Sequence, residues 1–219
     1  MKIVKKSRIS TILEPAKRLP FFSMENLGGS EKDNNYLKTL ISRYVKRGVI
    51  IRLKKGKYVS REYVKSLERR QEVDEYLEWV GCKLYESAYI SLDYVLAKHS
   101  AITEMPQVLT FMSDKKPVVF RNILGVFAYR HIKPTLFTGY SIIKKGSFYI
   151  PTATLAKALF DWLYLRQYSL VDSEAIKELR LNGNVLTPSN WKELNKWCQQ
   201  SKSKNMKSIF KLIYAEYHS

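Results

Sequence analysis

Residues 33–60 read DNNYLKTLISRYVKRGVIIRLKKGKYVS, and the change of period inside this stretch decides the fold of the first third of the chain. Leu37, Leu40, Ile41, Tyr44 and Val45 recur at spacings of three and four, one stripe of a helix that Asp33 caps and Gly48 ends. Beyond Gly48 come two short β-branched or aromatic runs, VIIRL and KYVS, separated by a Lys-Gly turn: a hairpin. The apolar stripe leaves Asn35, Lys38, Thr39, Ser42, Arg43 and Lys46 on the opposite face.

Upstream, Ile9, Ile12 and Leu13 have helical spacing until Pro15 interrupts them, and PFFSMENLGGS predicts a second helix with Ser23 as N-cap and Gly28-Gly29 as its end. Three helices followed by a hairpin is the order of a winged helix-turn-helix, expected over residues 1–65. Residues 61–80 predict one continuous helix. Its acidic side chains Glu68, Glu72, Asp74, Glu75 and Glu78 read as a solvated face, and residues 66–80 as the connector to a C-terminal domain over 81–219.

In that C-terminal part, Ser91 stands as N-cap to LDYVLAKH. The runs QVLTFMS, PVVFR, GVFAYRHI, TLFTGYSII and SFYI follow, each bounded by turn residues, and predict a mostly antiparallel sheet or small barrel. The period then returns to helical. TATLAKALFDWLYL is apolar on more than one side, Asp172 opens a short helix that Asn182-Gly183 closes, Thr187-Pro188 opens another, and Met206 to Tyr217 form a last amphipathic one. The fold class expected is therefore α+β.

The chain carries a net charge of +18, and residues 1–65 alone hold 17 basic against 5 acidic side chains, a local excess of +12. Charge gathered in so small a segment is the footprint of a polyanion-binding module. Docked as winged helices dock, the third helix would offer Asn34, Asn35, Lys38, Ser42 and Arg43 to base edges. Lys46, Arg52, Lys54, Lys55 and Lys57 would meet phosphates of double-stranded DNA.

With 45% apolar and 26% charged residues the composition is that of a globular protein. Cys82 and Cys198 read as reduced core thiols. An N-terminus without an apolar leader, in a chain with no run near the ~20 apolar residues of a membrane span, predicts a cytoplasmic protein with no membrane partner.

No phosphate-binding glycine loop, dinucleotide fingerprint, zinc-protease motif or cysteine pair at metal spacing occurs, so neither a cofactor, a metal nor an enzymatic activity is expected. His99 suits a helix C-terminus. In the C-terminal domain the residues left with functional potential are His131, in a strand, and Lys157 with Asp161, one helical turn apart in an apolar setting.

The segments YISLDYVLAKHSAI (89–102), NILGVFAYRHIKPTLFTGY (122–140) and AKALFDWLYL (156–165), in this order behind RGVIIRLKKGKYVS, resemble the AbiEi family of abortive-infection antitoxins. Where that family's helix usually opens with Ser-Pro-Glu, this chain has Thr154-Leu155-Ala156, while Lys157 and Asp161 are retained. The resemblance implies a type IV antitoxin and transcriptional autorepressor. Its winged helix would bind inverted repeats in operator DNA. Its C-terminal domain would counteract a cognate nucleotidyltransferase-like toxin without a stable complex. Two other readings compete: a one-component regulator whose C-terminal domain senses a ligand, and a nucleic-acid-processing enzyme centred on Lys157, Asp161 or His131.

Overall fold

The computed structural model describes residues 14–27 and 34–218. The chain is mixed α+β and divides into two compact units, Met1–Val80 with Phe120–Gly125, and Gly81–Val119 with Val126–Ser219.

In the first unit, helix α1 spans Asn34–Lys46 and is followed by strands β1 (Ile50–Lys54) and β2 (Lys57–Ser60). Leu37, Leu40 and Ile41 of its apolar stripe are buried, and the helix ends where Gly48 takes a φ of +70°, a conformation open to glycine without strain. The two strands pair antiparallel from Ile50↔Ser60 to Lys54↔Lys57, with an irregularity between Arg52 and Lys54. Their burial differs from that of a simple two-faced hairpin. Ile50 packs with Ala16, Phe22, Tyr44 and Tyr58, while Ile51 and Leu53, on the other face of β1, are buried as well. Val49, which opens the VIIRL run, is 45% exposed and precedes the first strand.

The expected helix after Pro20 is only a 3-10 turn, Glu25–Leu27. The Asn26 carboxamide oxygen accepts from both the backbone N–H (2.8 Å) and the hydroxyl (3.0 Å) of Ser23, so the serine and asparagine close a local turn and Ser23 does not cap an α-helix. The helix read at Ile9 to Leu13 and the Asp33 cap fall outside the described residues.

The single helix expected over 61–80 is two helices, α2 (Arg61–Arg70) and α3 (Val73–Leu84). Ser60 caps α2 by accepting from the Tyr63 N–H, and Gln71 ends it in the left-handed region. The break turns the stretch back onto its own unit: the Tyr76 phenol donates to the Pro20 carbonyl at 2.7 Å and its ring lies against Tyr63 and Trp79. Glu78, read as part of a solvated face, is fully buried.

A six-stranded sheet, most of it in the second unit, is made of β3 (Ala88–Ile90), β4 (Val108–Ser113), β5 (Val118–Asn122), β6 (Gly125–His131), β7 (Tyr140–Lys145) and β8 (Phe148–Ala153). Their order is β5-β6-β4-β3-β8-β7, an open sheet and not a barrel. It is mixed: β4 runs parallel to β6 from Val108↔Val126 to Ser113↔His131, and β3 parallel to β8 at Ile90↔Thr152, while β3–β4 and β7–β8 are antiparallel. Of TLFTGYSII only the second half is strand, because Pro134–Leu136 form a 3-10 turn.

Five helices accompany the sheet: α4 (Leu92–Lys98), α5 (Leu155–Leu165), α6 (Ser173–Glu178), α7 (Pro188–Gln200) and α8 (Lys204–His218). Thr154, Asp172 and Thr187 cap α5, α6 and α7 as their positions in the sequence require. Every residue from Leu155 to Leu163 is buried, which makes α5 the centre of the unit. Both cysteines are buried, and neither is in a disulfide.

Candidate nucleic-acid interface

Helix α1 is held by its buried stripe, and that decides what it shows to solvent. Asn35, Lys38, Thr39, Ser42, Arg43 and Lys46 are all exposed, and Lys38, Thr39, Ser42, Arg43 and Lys46 line one shallow depression. Thr39 donates back to the Asn35 carbonyl at 3.0 Å. Of Asn34 the backbone is helical, and its side chain lies outside the described residues. The exposed face includes two residues the sequence reading did not assign to it, Tyr36, 50% exposed, and Arg47. Tyr36 sits one position from the apolar stripe, so an aromatic residue there looks like core until the helix is placed.

The hairpin that follows divides its basic residues into two kinds. Arg52 on β1 and Lys55 in the turn are exposed. Lys54 and Lys57 flank that turn, are paired in register, and have their ammonium groups over aromatic rings, Lys54 at 5.3 Å from the centre of Phe120 and Lys57 at 5.2 Å from that of Phe21. An aromatic face attracts a cation, so the rings restrict the freedom of both lysine side chains. Asn122 adds a further tie by donating to the Leu53 carbonyl at 3.0 Å. Phe120 and Asn122 come from a segment about seventy residues away in the sequence, and no local pattern connects them with the hairpin.

The arrangement is an amide, two hydroxyls and three cations on one helix face, followed directly by a hairpin carrying more cations. It offers hydrogen-bond donors at the spacing of a helix face and a positive field.

The three C-terminal candidates separate. His131 ends β6 at the surface, with Nδ1 3.1 Å from the Lys115 carbonyl oxygen. Lys157 and Asp161 do come together, as an ion pair with both side chains fully buried. The other Asp161 oxygen accepts from the Tyr89 phenol at 2.9 Å and the Ser91 hydroxyl at 2.7 Å. Around the Lys157 ammonium stand the rings of Phe160, Trp197 and Tyr89, at 4.9, 5.4 and 5.5 Å. Burial is the largest influence on both groups, lowering the affinity of Lys157 for its proton and raising that of Asp161, against their mutual attraction. With the pair enclosed and the carboxylate satisfied on both oxygens, its geometry is that of a packed internal bridge.

Among the described residues, no three His, Cys, Asp or Glu side chains cluster as metal ligands, and no helix is long and apolar enough to cross a membrane. Compared with known proteins, the chain matches no family model and no curated protein.

Proposed function

We propose that the protein is a DNA-binding transcriptional repressor whose first unit is a winged helix-turn-helix, with α1 entering the major groove and the β1–β2 hairpin lying on the phosphate backbone. The observation that carries this reading is the continuous exposed face of Asn35, Lys38, Ser42, Arg43 and Lys46 on a helix locked by its opposite stripe, with exposed Arg52 and Lys55 directly after it. In this reading α1 supplies base contacts and the hairpin supplies affinity and orientation through counterion release. Lys54 and Lys57, steadied by aromatic rings, hold the wing's charge in place.

The test is fluorescence anisotropy on duplex DNA from upstream of the protein's own operon, over a range of salt. Lys38→Ala and Arg43→Ala should each weaken specific binding by about 1–3 kcal/mol, and Lys55→Ala should lower affinity for all sequences while reducing the salt slope by about one. Affinity unchanged in both α1 variants would remove α1 from the interface.

For the second unit, the ordered likeness of residues 89–102, 122–140 and 156–165 to AbiEi antitoxins supports a role in counteracting a nucleotidyltransferase-like toxin encoded beside it. The full chain should then restore growth to cells expressing that toxin, and the Lys38→Ala/Arg43→Ala variant should restore it equally well. Rescue that disappears with DNA binding would mean that repression alone protects the cell.

A further inference from the structure

Helix α8 has two different apolar faces. Met206, Ile209 and Ile213 are fully buried and form the face that joins the core. A second arc of about 100°, by helical geometry, carries Lys207, Phe210, Lys211, Tyr214 and His218. Between this arc and α7 lies a cleft of about 510 Å³, lined among others by Trp191, Lys192, Asn195, Phe210, Tyr214 and His218. That size is in the range of small-ligand sites.

We propose that this cleft binds single-stranded nucleic acid, stacking a base on the aromatic cluster of α8 while Lys192 at the cleft and Lys207 and Lys211 on the same arc of α8 take the flanking phosphates. The cluster is held in place before any ligand arrives. Tyr214 is 42% exposed, yet His218 stacks on it with ring centres 3.9 Å apart, Phe210 lies at 5.7 Å, and Trp191 meets it edge-on at 5.6 Å. An aromatic cluster already packed together, and partly open to solvent, costs little ordering entropy when a base adds to it.

Charge favours the same ligand. Residues 186–219 contain six lysines and two glutamates, a net +4, and both carboxylates are engaged. Glu193 accepts from the Thr154 hydroxyl at 2.7 Å and the Trp197 indole at 3.1 Å, and Glu216 lies 3.9 Å from Lys177. The segment therefore attracts anions. Asn195 accepts from Gln199 at 3.2 Å through its oxygen, which leaves its NH₂ to donate to a base acceptor. An acidic peptide would use the lysines alone; the exposed ring beside them distinguishes a nucleobase.

The experiment measures binding of the full chain to a labelled single-stranded oligouridylate by anisotropy. Tyr214→Ala and Lys192→Glu should each weaken binding about fivefold or more, and Tyr214→Trp should retain it. Lys192→Glu with Lys211→Glu, both at exposed positions, serves if Tyr214→Ala loses its native circular dichroism. Lys38→Ala/Arg43→Ala, the variant that decides duplex binding by the first unit, should leave the single-strand affinity unchanged. Three results would overturn the proposal: no single-strand binding, affinity indifferent to the α7 and α8 substitutions, or polyglutamate displacing the oligonucleotide as efficiently as unlabelled oligouridylate.

Discussion

Ser91 shows how a residue can occupy the expected position and do a different job. It precedes α4 at the N-cap, but its hydroxyl donates to Asp161, and the Tyr94 N–H is taken by Thr110 Oγ1 from β4, at 3.2 Å. The Thr110 hydroxyl in turn donates to the Ser91 carbonyl at 2.6 Å. Capping has moved to a neighbouring strand so that Ser91 can satisfy a buried carboxylate. Asp161→Ala should therefore cost about 3–5 kcal/mol, because it leaves the Lys157 ammonium buried without its counter-charge. Lys157→Met with Asp161→Leu should cost much less than that single change. Urea denaturation of the three proteins checks both, and a single variant no weaker than the double one would show that the pair is not closed as described.

At the scale of elements, the glycines separate propensity from packing. Gly81 lies within α3, where an alanine would favour the helix by about 1 kcal/mol. A Cβ there would stand 2.2 Å from the Phe111 ring, which is stacked on Tyr129 and so has no room to yield. Gly81→Ala should lower stability by about 1–3 kcal/mol despite the better helix former, measured as a fall in denaturation midpoint. Gly139 meets two demands at once, a φ of +82° and a Cβ position 2.5 Å from Trp197 and 2.9 Å from Lys157. Elements with one buried face were legible: α1, β1, β2 and the capped helices α5, α6 and α7 have the period or cap that the sequence displays. Where the difference arose, a contact from elsewhere had replaced the local signal. The break at Gln71 lets Tyr76 reach Pro20, and β3 is three consecutive buried residues with no alternation to read.

Across the whole molecule, three large phenols are buried: Tyr76 in the first unit, Tyr89 and Tyr129 in the second. Burial raises each of them well above the ordinary 10.0, and the Cys198 thiol is pushed up by burial to about 12. Folded, these groups keep their protons; unfolded, they release them above about pH 9 to 10. The folded state therefore binds more protons than the unfolded one in that range, and stability falls as pH rises through it. Denaturation midpoints at pH 8 and pH 10.5 check the sign, and a midpoint that does not drop at the higher pH would contradict the burial of these groups.

By itself the sequence determined the α+β class, the helix-then-hairpin order of residues 34–60, the exposed basic face of α1 and the concentration of charge in the first third. Each of these is a local property: a period, a turn or a count along a few residues. Only the tertiary structure decided the parallel pairing of β4 with β6 and β3 with β8, the joining of Phe120 and Asn122 to the β1–β2 hairpin, and the enclosure of Lys157 with Asp161. Those depend on residues 18 to 72 positions apart, and segments buried on both faces lose the alternation that would have announced them.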